Sequence, residues 1–169
     1  MPFGSVVFTV WAVLVAWCDC RARRVANALV AAGACAALAC AALHAAPFGV
    51  TPRQAAIGAS IGFAALLPFF LLGVMGAADV KVFAVLGAWC GASALLGIWM
   101  VATLASALHA LALLVFDRIS STGGVRWSPW RCGRPAFAIG QRRAAPYAAL
   151  LAGAALLHAL GLSLQGAMH

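Results

Sequence analysis

The chain contains no glutamate and only three aspartates in 169 residues. With 8% charged residues and a mean hydropathy of +1.04, it lacks the polar surface that a water-soluble domain of this length needs. Six cysteines are present (Cys18, Cys20, Cys35, Cys40, Cys90 and Cys132), but no CxxC element, which removes a zinc ribbon from consideration. Most of them fall in predicted helices, where cysteine acts as a small apolar residue, and no redox motif accompanies the Cys18/Cys20 pair around Asp19. His44, His109 and His158 are more than 40 residues apart, without ligand spacing, and are expected to be hydrogen-bonded packing residues. No repeat of fixed period is evident. The first apolar run has no basic leader and no small-residue cleavage site, so it is expected to be an uncleaved helix.

What the chain does have is apolar length, at 66% of its residues. Apolar runs cover Phe3 to Cys18, Val25 to Ala46, Gln54 to Val74, Val80 to Cys90, Ser93 to Phe116 and Ala145 to Leu164. A bilayer core takes roughly 20 helical residues, so four runs span comfortably, the first with snorkelling ends, and the run from Val80 is short. Counting it as a span that turns at Cys90-Gly91-Ala92-Ser93 predicts an all-α polytopic membrane protein of six transmembrane helices. That count puts ten of the eleven Lys and Arg residues on one side, leaving Arg53 on the other. The positive-inside rule makes the basic side cytoplasmic, with both termini outside and Asp19 and Asp79 at the cytoplasmic membrane face. The net charge of +8 thus serves orientation and membrane lipid headgroups, with no call for nucleic acid. A single membrane domain over residues 1–169 is expected, with a basic loop at about 117–144 in which Trp127 and Trp130 meet the headgroup layer. Alanine and glycine stretches such as Gly58-Ala59-Ser60-Ile61-Gly62 predict close helix packing, and Pro68 predicts a bend.

Two of the three acids terminate apolar runs, where an ionisable carboxylate is costly enough to mark function. Asp19 opens Asp19-Cys20-Arg21-Ala22-Arg23-Arg24-Val25-Ala26-Asn27, and Asp79 lies in Gly76-Ala77-Ala78-Asp79-Val80-Lys81. Such a pair can divide acid and base work, one ionised carboxylate taking a proton while a protonated partner gives one. Two carboxylates brought within about 3 Å share one proton, and their titration belongs to the pair. Gly76, Ala77 and Ala78 leave room for an extended substrate backbone. Lys81, two residues from Asp79, does not share its helix face and is free for lipid phosphate or substrate. Arg21, Arg23 and Arg24 serve as topology anchors, Asn27 as a helix-end or interhelical hydrogen-bonding group near Asp19, and Asp117 balances Arg118.

These two segments resemble the prepilin peptidases, membrane aspartic peptidases whose first aspartate precedes a D-x-R-x-R-x-I-P-N stretch and whose second lies in G-x-G-D-V-K. The resemblance is greatest to the short six-helix members of tight-adherence (Flp-type) pilus systems, and it extends to Pro146-Tyr147 before the last helix. Ala78 stands where the family usually has its second glycine, and Val25-Ala26-Asn27 where Ile-Pro-Asn is usual; the alanine matters if that position needs positive φ. The resemblance implies a multi-pass enzyme of the bacterial inner membrane with an Asp19/Asp79 dyad. Gly76, Ala78, Lys81, Arg21 and Asn27 would support it, and Tyr147 would anchor the interface or touch substrate. It implies removal of the basic leader of a prepilin-like protein partner, with neither metal nor organic cofactor and without the methylation that larger members add. Three other readings stand beside it: a signal-peptide-peptidase-like protease, which usually carries its first aspartate in a Tyr-Asp pair; a proton-coupled transporter; and a catalytically silent pilus-assembly subunit.

Overall fold

The computed structural model describes the backbone of residues 3–22, 24–122 and 147–167, and the side chains of 3–22, 24–115 and 147–162. Among these residues the fold is all-α: α1 (Phe3–Ala22), α2 (Asn27–Ala42), α3 (Pro52–Leu71), α4 (Ala77–Cys90), α5 (Ala92–Thr122) and α6 (Tyr147–Ala167). Three helices, α1, α3 and the Ala92–Val115 part of α5, are long and apolar enough to cross a membrane, while α2 and α6 are shorter apolar helices. Residues 117–122, expected in the basic loop, continue α5, and Trp127, Trp130 and Cys132 lie outside the described residues.

Local chemistry sets the helix ends. Thr51 and Gln54 form a capping box ahead of Pro52, the Thr51 N–H donating to Gln54 Oε1 at 2.9 Å and the Gln54 N–H to Thr51 Oγ1 at 3.3 Å. α3 runs unbroken through Pro68 and stops at Gly73, whose φ of 70° lets the Val74 N–H reach back to the Phe69 carbonyl at 3.0 Å. α2 ends the same way with an unusual residue. His44 holds φ 55°, its N–H donates to Ala41 O and the Ala45 N–H donates to Cys40 O at 2.8 Å. Exposed His44 is therefore a helix stop, not the packing residue its apolar surroundings suggest. A side chain in this left-handed conformation costs about 1 kcal/mol. His44→Gly is accordingly expected to raise the melting temperature of the purified protein slightly, and a fall would refute this account.

α4 is the hub. It packs against α2, α3, α5 and α6, while α1 packs against α2 and α6. Nine of its fourteen residues are buried, from Val80 through Cys90, which explains an apolar run too uniform to show a face. At about 21 Å it is shorter than a bilayer core. Gly91, with φ 78°, alone joins it to α5.

The register of the neighbouring helices recesses one end of this hub. Gly58 meets Gly87 and Gly62 meets Phe83, so α3 runs antiparallel to α4. Continued by one turn, that register brings Leu66 level with Asp79, and α3 goes on about 8 Å further to Leu71. Thr103 pairs with Tyr147 at the start of α6, and α5 continues past that level for about 18 Å to Val115. Outward faces along these helices carry exposed Ile57, Ile61, Phe69, Leu104, Leu108 and Leu111, the surface expected against lipid.

Candidate active site

Asp19 continues the inward stripe of α1. Phe8, Ala12 and Val15 precede it at spacings of four, three and four, and Val10, Leu14 and Trp17 face outward. Its side chain is buried, with 7% of its surface exposed, and Oδ2 accepts the Ala149 N–H at 2.9 Å. Asp79 stands in the first turn of α4, where its Oδ2 accepts the Gly76 N–H at 3.3 Å. The start of α6 at Ala148 lies near enough to favour its charged form slightly.

Asp19 thus hangs from an N–H group in the first turn of α6, and Asp79 is close enough to feel its charge. The first N–H groups of a helix have no partner within it, and the positive end of the helix dipole favours anions. That grip was not part of the sequence-based site. Its available sign was Pro146-Tyr147, since proline is favoured where a helix begins.

α4 falls short of spanning, and Asp79 sits at its polar end, ahead of the apolar stretch from Val80. Burial, and second the negative charge of Asp19, push Asp79 from 3.8 up to about 6, against the opposing pull of the Gly76 and Ala148 N–H donors. The fold therefore favours protonated Asp79. That contribution is complete below pH 3.8 and is lost as pH rises through about 6. Asp79→Asn, fixed in the neutral form, is expected to melt higher than the unmodified protein at pH 8, with the gap closing towards pH 4. The gain is at most about 3 kcal/mol, less where solvent reaches the pair. Equal melting temperatures at pH 8 would contradict the assigned burial.

A sequence model of the type IV leader peptidase family matches residues 6–115, about two thirds of the chain. The chain belongs to the type IV leader peptidase family. Asp19 and Asp79 both lie inside the matched stretch, whereas α6, which donates to Asp19, lies outside it. No curated protein and no solved structure matches the chain.

In this leader peptidase family member Ala78 adopts an ordinary helical conformation, because His44 is the only non-glycine residue with positive φ among those described. Alanine at that position therefore carries no backbone strain. Gly76 has a different requirement, as a Cβ there would sit 3.2 Å from Asp79 Oδ2 and crowd the carboxylate.

Asn27 and Lys81 bond to each other, Lys81 Nζ donating to Asn27 Oδ1 at 2.9 Å. The two sequence segments are therefore linked twice, by the electrostatic coupling of their aspartates and by a hydrogen bond between their last polar residues. Lys81 is about 200° around α4 from Asp79, so this second contact is on the far face of the helix. Arg21 and Arg24 are exposed, and Arg23 lies outside the described residues. Among the described residues no three His, Cys, Asp or Glu side chains cluster as a metal site.

Tyr147 completes the neighbourhood. Thr103 Oγ1 donates its proton to the Trp99 carbonyl at 2.7 Å, so in the 3.1 Å contact with Thr103 the Tyr147 hydroxyl is the donor. The tyrosine oxygen keeps its lone pairs for a further N–H or O–H.

Proposed function

We propose that this family member is an aspartic endopeptidase that removes the leader of prepilin-like proteins, using Asp19 and Asp79 as a dyad. The observation that carries the reading is a buried Asp19 held by the start of α6 and coupled by charge to a half-buried Asp79 raised to about 6. Like charges held together cannot both ionise cheaply, so the pair retains one proton up to about pH 6. The ionised member takes a proton from water as its oxygen attacks the scissile carbonyl carbon, and the protonated member donates to the carbonyl oxygen. Collapse of the tetrahedral intermediate breaks the C–N bond, the departing amine takes a proton, and the dyad returns to sharing one.

The substrate class follows from the surroundings. A leader rich in positive charge suits a dyad that carries net negative charge, and the hydrophobic helix behind the cut suits the apolar flanks of α3 and α5. With the basic segments inside, cleavage falls on the cytoplasmic side of a bacterial inner membrane, as for Flp-type pilins. A proton-relay transporter is less well served, because Asp19 and Asp79 are the only carboxylates among the described side chains and no chain of acids leads onward.

The test is cleavage of a co-expressed Flp-type prepilin in membranes, with the new amino terminus identified by mass spectrometry. Cleavage at the junction between basic leader and hydrophobic helix is expected. An intact prepilin at matched enzyme abundance would overturn the proposal.

A further inference from the structure

A lateral groove of about 250 Å³ lies between α2 and α3 with α4 as its floor. Its walls are apolar and mostly small: Val30 and Ala34 on α2, Ala59 on α3, Ala84 and Ala88 on α4. The one charged residue lining it is Lys81. Lys81 Nζ is held at one end of the groove by Asn27 Oδ1, a neutral acceptor that uses one of its three donors. Among the described residues Lys81 makes no ion pair with Asp79 or Asp19, and its charge faces the groove mouth uncompensated.

Two considerations decide what such a groove accepts. Lys81, Ala84 and Ala88 share one face of α4, and Asp79 points about 200° away, towards α6. A peptide segment lying in the groove would therefore be on the wrong side of α4 for the carboxylates. The end that carries Lys81 also carries Arg24, three residues before Asn27, so the headgroup region is cationic.

From this we infer that the α2–α3–α4 groove binds an anionic phospholipid, its acyl chain against the alanine walls and its phosphate on Lys81. The lipid would brace α2 against the back of α4, opposite the candidate active site. Binding is independent of catalysis, so the inference stands or falls apart from the proposed peptidase activity.

The experiment is native mass spectrometry of the delipidated full chain in detergent, titrated with phosphatidylglycerol or phosphatidylcholine of identical acyl chains. One phosphatidylglycerol is expected to be retained in preference to phosphatidylcholine by about fivefold, the weight of one lysine near a headgroup. Lys81→Gln should abolish that preference while leaving residual binding of both lipids. Ala84→Leu, which fills the groove, should weaken both lipids in a protein whose melting temperature confirms that it is folded. Inorganic phosphate at the same concentration should not displace the lipid. Equal retention of the two lipids, a preference that survives Lys81→Gln, or release of the bound lipid by a prepilin helix would each overturn the assignment, the last by giving the groove to substrate.

Discussion

Asp19→Asn and Asp79→Asn are each expected to lower kcat/KM for leader removal by at least about 10³-fold, and the double variant to fall little further. General acid and base contributions run at about 10²–10⁴-fold, and groups that act as one unit lose their effect together. Asparagine keeps the size of the side chain and leaves a carbonyl oxygen for the Ala149 N–H or the Gly76 N–H, so loss of rate reports loss of the carboxylate. The pH profile separates this from a packing defect. With Asp79 raised to about 6, the singly protonated dyad disappears as pH rises through that value, and kcat/KM of the free enzyme should decline on the alkaline side, approaching tenfold per pH unit. Substrate that excludes water adds desolvation and should move the same limb of kcat to higher pH. Full activity in either single variant would end the two-aspartate mechanism, whatever the profile.

The residues that carry this expectation were legible in the sequence for a physical reason. Carboxylates are so rare in an apolar chain that position alone exposes them, and the inward stripe Phe8, Ala12, Val15, Asp19 repeats on one helix face. The helix count was legible too, with Gly91 turning the chain where the fourth run had to end. Other features depend on contacts between segments far apart in sequence. Nothing local to Ala149 distinguishes it from the other alanines of α6; its function comes from its N–H group and from which helix ends lie opposite. Asn27 was expected to make helix-end or interhelical hydrogen bonds, and its partner, Lys81 on α4, is 54 residues away in sequence, which no local pattern states. His44 was unreadable for a related reason: the sequence gives no sign that a histidine will take the left-handed position usually given to glycine. Recession of the dyad below the ends of α3 and α5 likewise needed the α3–α4 register, which no hydropathy pattern states.

That register rests on a contact whose disruption is the second large effect expected. A Cβ built on Gly58 lies 2.2 Å from the Gly87 carbonyl oxygen and 2.9 Å from its carbon, and a Cβ on Gly87 lies 2.2 Å from the Gly58 oxygen. These neighbours are backbone, so no side chain can swing aside and the helices must part. In lipid, where close packing rather than hydrophobicity holds helices together, separation at the crossing removes contacts along both helices. Gly58→Ala and Gly87→Ala should each destabilise the fold by about 3 kcal/mol, at the upper end of overpacking costs, and Gly58→Leu should leave little folded protein. Because one outward shift relieves both clashes, the double alanine variant should cost less than the sum of the singles. Gly97→Ala and Gly153→Ala are the controls, since a Cβ at either meets nothing within 4 Å and alanine is the better helix former. Thermal unfolding in detergent measures all six variants. Activity should fall with stability at Gly58 and Gly87 alone, as α4 carries Asp79 at its other end and any displacement of the hub shifts one carboxylate against the grip of α6. A Gly58→Ala protein that melts with the unmodified chain would remove the register, and with it the recessed placement of the dyad.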